Sequence, residues 1–244
     1  MKRRIQQIGW TLFLFFLTAQ PVQAAELENV WSDVGSADTV QLYLVLGLLS
    51  VIPAFLILTT SFTRIIVILS FLRSSLGTQQ NPPNQVLVGL ALFLTFFIMQ
   101  PVYTEVYEDA ISPLVEEEIS LETALSRAET PIKDFMLDQT REKDLQLFLD
   151  LSGQEAEVSE RRELPLTVVI PAFAISELRT AFTVGFLLFI PFLIIDMVVA
   201  SILMSMGMFM LSPAMISLPF KLLLFVLVDG WYLVVESVVL GFYS

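Results

Sequence analysis

Long apolar stretches alternate with short polar ones along most of the chain. The least charged stretches cover residues 39–63, 86–99, 165–215 and 216–243. A helix needs about 20 consecutive apolar residues to cross a membrane, and turns between such helices place them side by side. The pattern therefore predicts an all-α fold with a first apolar helical hairpin over residues 39–104 and a second over residues 164–244.

Proline, glycine and basic residues indicate where these hairpins turn and bend. Residues 74–84 (SSLGTQQNPPN) have the composition of a turn. Arg64 and Arg73 place this end of the hairpin on the cytoplasmic side by the positive-inside rule. The second turn is expected near residues 212–219. Pro53 removes one helical hydrogen bond within the first stretch, which predicts a kink there.

A strongly acidic segment separates the two hairpins. Residues 105–163 contain seventeen acidic and six basic side chains, which accounts for most of the net charge of −12. The segment also has apolar residues at helical spacing, which predicts an amphipathic helical insert on the exported side. These residues include Leu121, Leu125, Ala128, Ile132, Phe135 and Met136. The carboxylates lack the spacing of a calcium-binding loop, so we interpret them as a solvated surface and predict no metal site.

The N-terminus has the pattern of a secretory signal peptide over residues 1–24. Three basic residues precede a twelve-residue apolar run, which is too short to span a membrane. A cleavage site fits between Ala24 and Ala25. The mature chain would then begin on the exported side of a bacterial inner membrane, with an exposed lead-in over residues 25–38. The alternative is an uncleaved N-terminal anchor.

The composition argues against several classes of function. The chain has no Cys and no His, which removes thiol chemistry, disulfides and His-based metal sites or proton relays. The net negative charge argues against nucleic acid as a partner. The sequence has no motif of a serine hydrolase, a zinc protease or a nucleotide-binding loop. We therefore predict that the protein is not an enzyme and has no catalytic residue and no cofactor.

Charged residues inside the apolar stretches are candidate functional residues, because a charge is costly in hydrocarbon. The second hairpin carries two cations against four carboxylates: Arg179 and Lys221 against Glu177, Asp196, Asp229 and Glu236. This imbalance predicts that water or a neighbouring chain supplies the missing partners. The residues expected at a subunit interface or as buried charges are Arg64, Glu177, Arg179, Asp196 and Lys221.

Methionine recurs at every second position near the end of the third apolar stretch, at Met204, Met206, Met208 and Met210. Methionine is flexible and polarizable, and it suits surfaces that deform and re-seal. On a helix these four side chains would point in different directions, whereas an extended segment would point them to one side. A shared role therefore predicts a non-helical break near Gly207. The alternative is that these residues fill a core between helices.

Several segments together resemble the FliP family of flagellar biosynthetic proteins, which includes subunits of virulence type III secretion systems. The most specific are PAFAISEL at residues 171–178 and PFLIIDMVVAS at residues 191–201. The turn GTQQNPPN at residues 77–84 and LPFKL at residues 218–222 are also similar to that family. The resemblance covers essentially the whole chain after residue 24.

The resemblance implies a core pore-forming subunit of the flagellar type III export gate, which passes unfolded flagellar proteins across the inner membrane. It implies a homo-oligomer, a pentamer, that forms a helical cone-like pore within the basal-body ring. Q-type and R-type export-gate subunits and a B-type switch subunit would be its partners, together with exported unfolded chains. In such a pore the flexible gasket corresponds to Met204, Met206, Met208, Phe209 and Met210.

Two other functions remain open at this point. A proton-coupled polytopic secondary transporter could cycle protons through Asp196. A non-conducting structural scaffold of the basal body would need neither a pore nor a gasket. The first alternative predicts transport by this chain alone, and the second predicts no contact between an exported chain and the methionine segment.

Overall fold

The computed structural model describes residues 37–78, 80–153 and 158–243, and these are helical with no β-strand. The prediction of an all-α fold is therefore confirmed for the described residues. The helices are α1 (Ala37–Thr59), α2 (Phe62–Leu76), α3 (Asn84–Ile98), α4 (Gln100–Val106), α5 (Ser112–Val115), α6 (Leu121–Gln139), α7 (Glu142–Ser152), α8 (Leu166–Ser205), α9 (Pro213–Leu227) and α10 (Gly230–Leu240). A π-helical turn (Tyr107–Ile111) joins α4 to α5, and a 3-10 helix (Val158–Glu163) precedes α8.

The chain divides into two units, one ending at Pro53 and the other beginning at Ala54. The described part of the first unit is the start of α1, which continues through Pro53. The sharp bend lies farther along than the predicted kink, because the segment Pro53–Thr59 meets α2 at 79°. Threonine hydroxyls bind the carbonyls next to this bend: Thr59 binds Phe55 O, Thr60 binds Leu56 O and Thr63 binds Ile57 O. Such back-bonding satisfies groups that a bent helix leaves open.

Helices α2 and α3 pack side by side around the turn that the sequence predicts. Helix α2 ends at Gly77, whose φ of 77° is favourable only without a side chain. Arg73 Nη1 donates to Asn84 Oδ1 at 2.5 Å, which connects the end of α2 to the start of α3. The polar residues of this turn therefore stabilise its geometry.

Helix α8 is the centre of the second unit, since α2, α6, α7 and α9 all contact it. Its 40 residues correspond to about 60 Å of helix. Its first half forms a core with the acidic insert, built from residues such as Met136, Leu145, Leu149 and Phe173. A second core contains residues of α2, α3, α8, α9 and α10, such as Ile65, Leu72, Ala91, Ala181 and Phe225. One helix therefore runs through both cores.

Two details of the predicted pattern are wrong. Leu121 and Leu125 of α6 are exposed, because the buried face of that helix contains Ala124, Pro131 and Met136. The turn between α8 and α9 covers residues 206–212, upstream of the predicted residues 212–219. Pro213 opens α9, which fits proline at a first helical position, where no backbone N–H is needed.

Helix α8 is long and apolar enough on its own to cross a membrane. Three bent helix pairs also pass this test if each counts as one span: Pro53–Thr59 with α2 (79°), Asn84–Ile98 with Gln100–Val115 (57°) and α9 with α10 (64°). Among the residues the structure describes there are therefore between one and four candidate spans by length and composition.

Gly185 lets α8 pack tightly against Phe71 of α2. A Cβ built on Gly185 would lie 2.6 Å from Cγ and 2.9 Å from Cβ of Phe71, whose ring packs edge-on against Phe182 at 5.2 Å between centroids. We expect Gly185→Ala to lower the free energy of unfolding by about 1–3 kcal/mol through overpacking, measured by thermal denaturation in detergent. Gly89→Ala is the matched control, because no atom lies within 4 Å of its added Cβ. Equal stability of the two variants would contradict this packing.

Candidate functional site: a buried charge junction and an exposed methionine turn

Arg64 of α2 and Glu177 of α8 form an ion pair that is closed to solvent. Arg64 Nε donates to Glu177 Oε2 at 2.9 Å, and Nη2 donates to Glu177 Oε1. The guanidinium therefore binds the carboxylate with two parallel hydrogen bonds, which is the strongest arrangement for this pair. The side chain of Glu177 has 0% exposure and that of Arg64 has 6%.

The remaining donors of Arg64 bind two other parts of the chain. Nη2 also donates to Gln139 Oε1 at 3.0 Å, at the end of α6, and Nη1 donates to the carbonyl of Gly241 at 3.1 Å, beyond α10. The guanidinium carbon lies 3.8 Å from the centre of the Phe242 ring, a cation–π contact. Gln139 Nε2 donates to the carbonyl of Phe242 at 3.2 Å. Four chain segments therefore meet at this charge junction.

A polar contact next to the junction binds the acidic insert to α8. Ser176 Oγ donates to Asp144 Oδ2 at 2.5 Å and accepts from the backbone N–H of Arg141 at 3.2 Å. Arg141 Nη2 donates to the same carboxylate oxygen at 2.5 Å. Sequence reasoning missed Gln139, Asp144 and Ser176. The available signal was Ser176 itself, a polar residue directly before a charged one on an apolar helix.

Lys221 and Asp196 form a second ion pair, between α9 and α8. Lys221 Nζ donates to Asp196 Oδ2 at 2.6 Å and to the carbonyl of Ser75 at 3.1 Å, near the end of α2. Ser217 Oγ donates to Asp196 Oδ1 at 2.5 Å. Lys221 is buried while Asp196 is partly exposed. The lysine therefore compensates a carboxylate and an open helix-end carbonyl together.

These contacts correct the inference from charge counting. Glu177 and Asp196 have basic partners within the same chain, so the prediction that water or a neighbouring chain supplies their partners is wrong for these two carboxylates. Arg64, Glu177 and Lys221 are buried charges, which is one of the two roles expected of them. The charge count covered only the second hairpin, and it therefore left out Arg64, which lies in the first hairpin and pairs with Glu177. Arg179, two residues from Glu177, is exposed and forms no ion pair with any residue in the described part of the chain. Its predicted place at a subunit interface remains a prediction.

Helix α8 ends at Ser205 in a glycine-terminated cap. The backbone N–H of Gly207 donates to Met204 O at 3.1 Å, and that of Met208 donates to Leu203 O at 2.9 Å. With φ of 72° at Gly207, these two bonds form a Schellman motif, in which the glycine adopts a left-handed conformation. The predicted break near Gly207 is therefore confirmed, and a glycine conformation causes it.

The side chains of this methionine turn point away from the chain's own core. The set comprises Met204 in the last turn of α8, then Met206, Met208, Phe209 and Met210. Their exposed fractions range from 40% for Met208 to 99% for Met210. Within one chain they therefore fill no core between helices. Five large apolar side chains within seven residues would be unfavourable in water unless another surface covers them.

Two other predictions concern the signal cleavage site and the binding of a metal ion. The expected cleavage residues Ala24 and Ala25 lie outside the described residues. Within the described ranges, no group of three or more Asp and Glu side chains is placed to hold a metal ion. Some carboxylates of the insert pair with basic neighbours, as Asp134 does with Arg162 at 3.0 Å.

The FliP family model matches residues 45–238 of the chain. A flagellar biosynthetic protein FliP from Bacillus subtilis is 60% identical over 219 residues, covering 90% of this chain and 96% of the relative. Its counterpart from Pectobacterium carotovorum is 55% identical, covering 99% and 95%. The counterpart from Aquifex aeolicus is 54% identical, covering 83% and 85%.

The chain belongs to the FliP family. It is therefore a flagellar biosynthetic protein, and the apolar helix α8 indicates that it is a membrane-associated flagellar component. The relatives are named for flagellar biosynthesis and not for an enzymatic reaction. The resemblance carried by residues 171–178 and 191–201 is confirmed, and both segments lie on α8.

Removing Glu177 should leave a buried, uncompensated guanidinium. We expect Glu177→Ala to lower the free energy of unfolding by about 3–5 kcal/mol, as for other broken buried ion pairs. The yield of folded protein and its thermal denaturation in detergent measure this loss. Met197→Ala, at an exposed residue of the same helix, is the control and should leave both quantities unchanged. The double variant Arg64→Leu, Glu177→Leu should recover part of the loss, and no recovery would contradict the assigned pairing.

The ring of Phe242 should be needed to close the junction. The ring is buried and stacks on Phe135 at 6.3 Å between centroids. We expect Phe242→Ala to lower the free energy of unfolding by about 3–5 kcal/mol, measured by thermal denaturation. The neighbouring exposed Tyr243, changed to Ala, is the control and should have little effect. Similar losses for the two variants would show that the ring contacts do not matter.

Proposed function

We propose that the chain is a core pore-forming subunit of the flagellar type III export gate, which passes unfolded flagellar proteins across the inner membrane. The observation that supports this most directly is the methionine turn of a FliP-family chain, where five flexible or aromatic apolar side chains are exposed in the last turn of a 40-residue apolar helix and just beyond it. No other part of the described chain covers these side chains.

A protein-conducting pore needs a closure that stops ions and yields to an unfolded chain. Unbranched methionine side chains adapt to irregular shapes, and apolar constrictions exclude ions by dewetting. A turn terminated by a glycine is compatible with movement, since Gly207 meets no neighbouring atom within 4 Å of its built Cβ. Several copies of Met206, Met208, Phe209 and Met210 around one axis would form such a gasket.

We infer that the pore is a homo-oligomer, a pentamer, with R-type and Q-type export-gate subunits and a B-type switch subunit inside the basal-body ring. Exposed apolar residues support this, because lipid or neighbouring subunits must cover them. On α3 these include Phe93, Phe96 and Phe97, and on α8 they include Phe182 and Phe186. Arg179 lies exposed on α8 in the same region, where an acidic side chain of a neighbouring subunit could pair with it.

The proposed orientation follows from the N-terminal pattern. A signal peptide over residues 1–24 would be removed between Ala24 and Ala25 during export through the inner membrane. The mature N-terminus and the acidic insert of α6 and α7 would then lie on the exported side. The end of α2 with Arg73 and the start of α9 with its Lys221 would lie on the cytoplasmic side.

The ion pair of Asp196 weighs against a proton-coupled transporter. Both carboxylate oxygens are engaged, one by Lys221 and one by Ser217, so Asp196 serves to connect helices. Transport of protons by the purified chain alone in liposomes would favour the transporter. Absence of any cross-link between a stalled exported chain and Met206 or Met210 would favour a non-conducting scaffold.

Truncating the methionine turn should open the gasket. We expect the triple variant Met206→Ala, Met208→Ala, Met210→Ala to raise the permeability of the assembled complex to small ions several-fold, because the closure loses apolar volume. Conductance of the purified complex in planar bilayers measures this. Met197→Ala is the control, since Met197 is an exposed methionine of α8 outside the turn. Unchanged permeability of the triple variant, in a complex of normal size, would argue against a gasket at this turn.

A further inference from the structure

The methionines in the described part of the chain range from fully buried to almost fully exposed. Met99 and Met136 are fully buried, with 0% exposure. The methionines of the turn are open to solvent, and Met210 is almost completely so. The chain has no Cys, so no thiol of its own competes for oxidants. The thioethers of Met206 and Met210 are therefore accessible to oxidants, as are those of Met197 and Met215 elsewhere in the described chain, whereas those of Met99 and Met136 are not.

We propose that the methionine turn is an oxidant-sensitive modification site, at which conversion of Met206, Met208 and Met210 to the sulfoxide opens the closure of the gate. The consequence for the gate rests on the function proposed above. The chemical class of the reactant is a two-electron oxidant such as hydrogen peroxide.

The reaction needs only the thioether and the peroxide. A lone pair of the sulfur attacks one peroxide oxygen, the O–O bond breaks, and that oxygen stays on sulfur as the sulfoxide. The second oxygen departs as hydroxide and takes the proton from the transferred oxygen to become water, so the sulfur is oxidised by two electrons and the peroxide is reduced by two. Access of the oxidant to sulfur limits this reaction, and a fully buried methionine must first be uncovered by local opening.

The product changes the property on which the gasket depends. A sulfoxide is polar and chiral, whereas the thioether is apolar and deformable. Several sulfoxides around one constriction would attract water and reduce the dewetting that stops ions. Because methionine sulfoxide reductases restore the thioether, the change is reversible.

Oxidation of the assembled complex in membrane vesicles with hydrogen peroxide, followed by peptide mass spectrometry, tests the site itself. We expect Met206 and Met210 to gain one oxygen at least about tenfold faster than Met99 and Met136, because the buried pair reacts only after local opening. The buried pair serves as an internal control in every sample. Equal rates, or protection of the turn in the assembled complex, would overturn the proposal.

The consequence for permeability needs a second measurement on the same complex. The quantity is the ratio of ion conductance after oxidation to that before it. We expect the ratio to rise several-fold for the native complex and to fall back after treatment with a methionine sulfoxide reductase. The triple variant Met206→Leu, Met208→Leu, Met210→Leu, which keeps apolar side chains without sulfur, should give a ratio near unity whatever its starting conductance.

The outcomes separate this proposal from the function on which it rests. If sulfoxides form at the turn without a change in conductance, while the triple alanine variant leaks, the oxidation proposal is wrong and the gasket stands. If the alanine variant does not leak, the gasket itself is wrong, and the proposed effect of oxidation is overturned with it. A rise in conductance that the leucine variant shares would trace the effect to other residues and also overturn the proposal.

Discussion

The ion pair between Arg64 and Glu177 fixes how the two halves of the sequence come together. The two residues are far apart in the chain and are buried against each other. Either charge alone would be strongly unfavourable when buried. Any other register between α2 and α8 would separate the two side chains and leave a buried charge without a partner. Because the guanidinium also binds Gln139 and Gly241, the same constraint positions the end of the acidic insert and the segment after α10.

The position of this pair explains how one helix can belong to two cores. Phe135 packs against both cores, and its ring contacts Phe173 in one and Phe242 in the other. Glu177 and Asp196, the two paired carboxylates of α8, are separated by about 30 Å of helix, close to the thickness of a bilayer's hydrocarbon. Ion pairs therefore fix α8 at two points that are about one hydrocarbon thickness apart, and the helix continues beyond each of them.

Local features of the fold could be predicted from the sequence, and long-range ones could not. Gly77 and Gly207 signal helix ends because a left-handed conformation depends on the residue itself. The buried state of Glu177 and Lys221 follows from charge among apolar neighbours. The partner of Glu177 could not be predicted, since the choice between Arg64 and a second chain depends on tertiary packing. The same reason explains why Gln139 was missed and why Leu121 was wrongly placed on the buried face.

The two parts of the candidate site have opposite physical requirements, and the chain separates them along α8. The charge junction at Arg64 needs fixed geometry, because a bidentate ion pair loses its strength with small displacements. A closure needs the reverse, namely side chains that exchange contacts at little cost. The turn begins about ten residues beyond Asp196 (about 15 Å of helix), after the last ion pair of α8 has fixed the helix. In the proposed gate, anchoring of α8 would confine movement to the methionine turn, where the Schellman cap at Gly207 ends the regular helix.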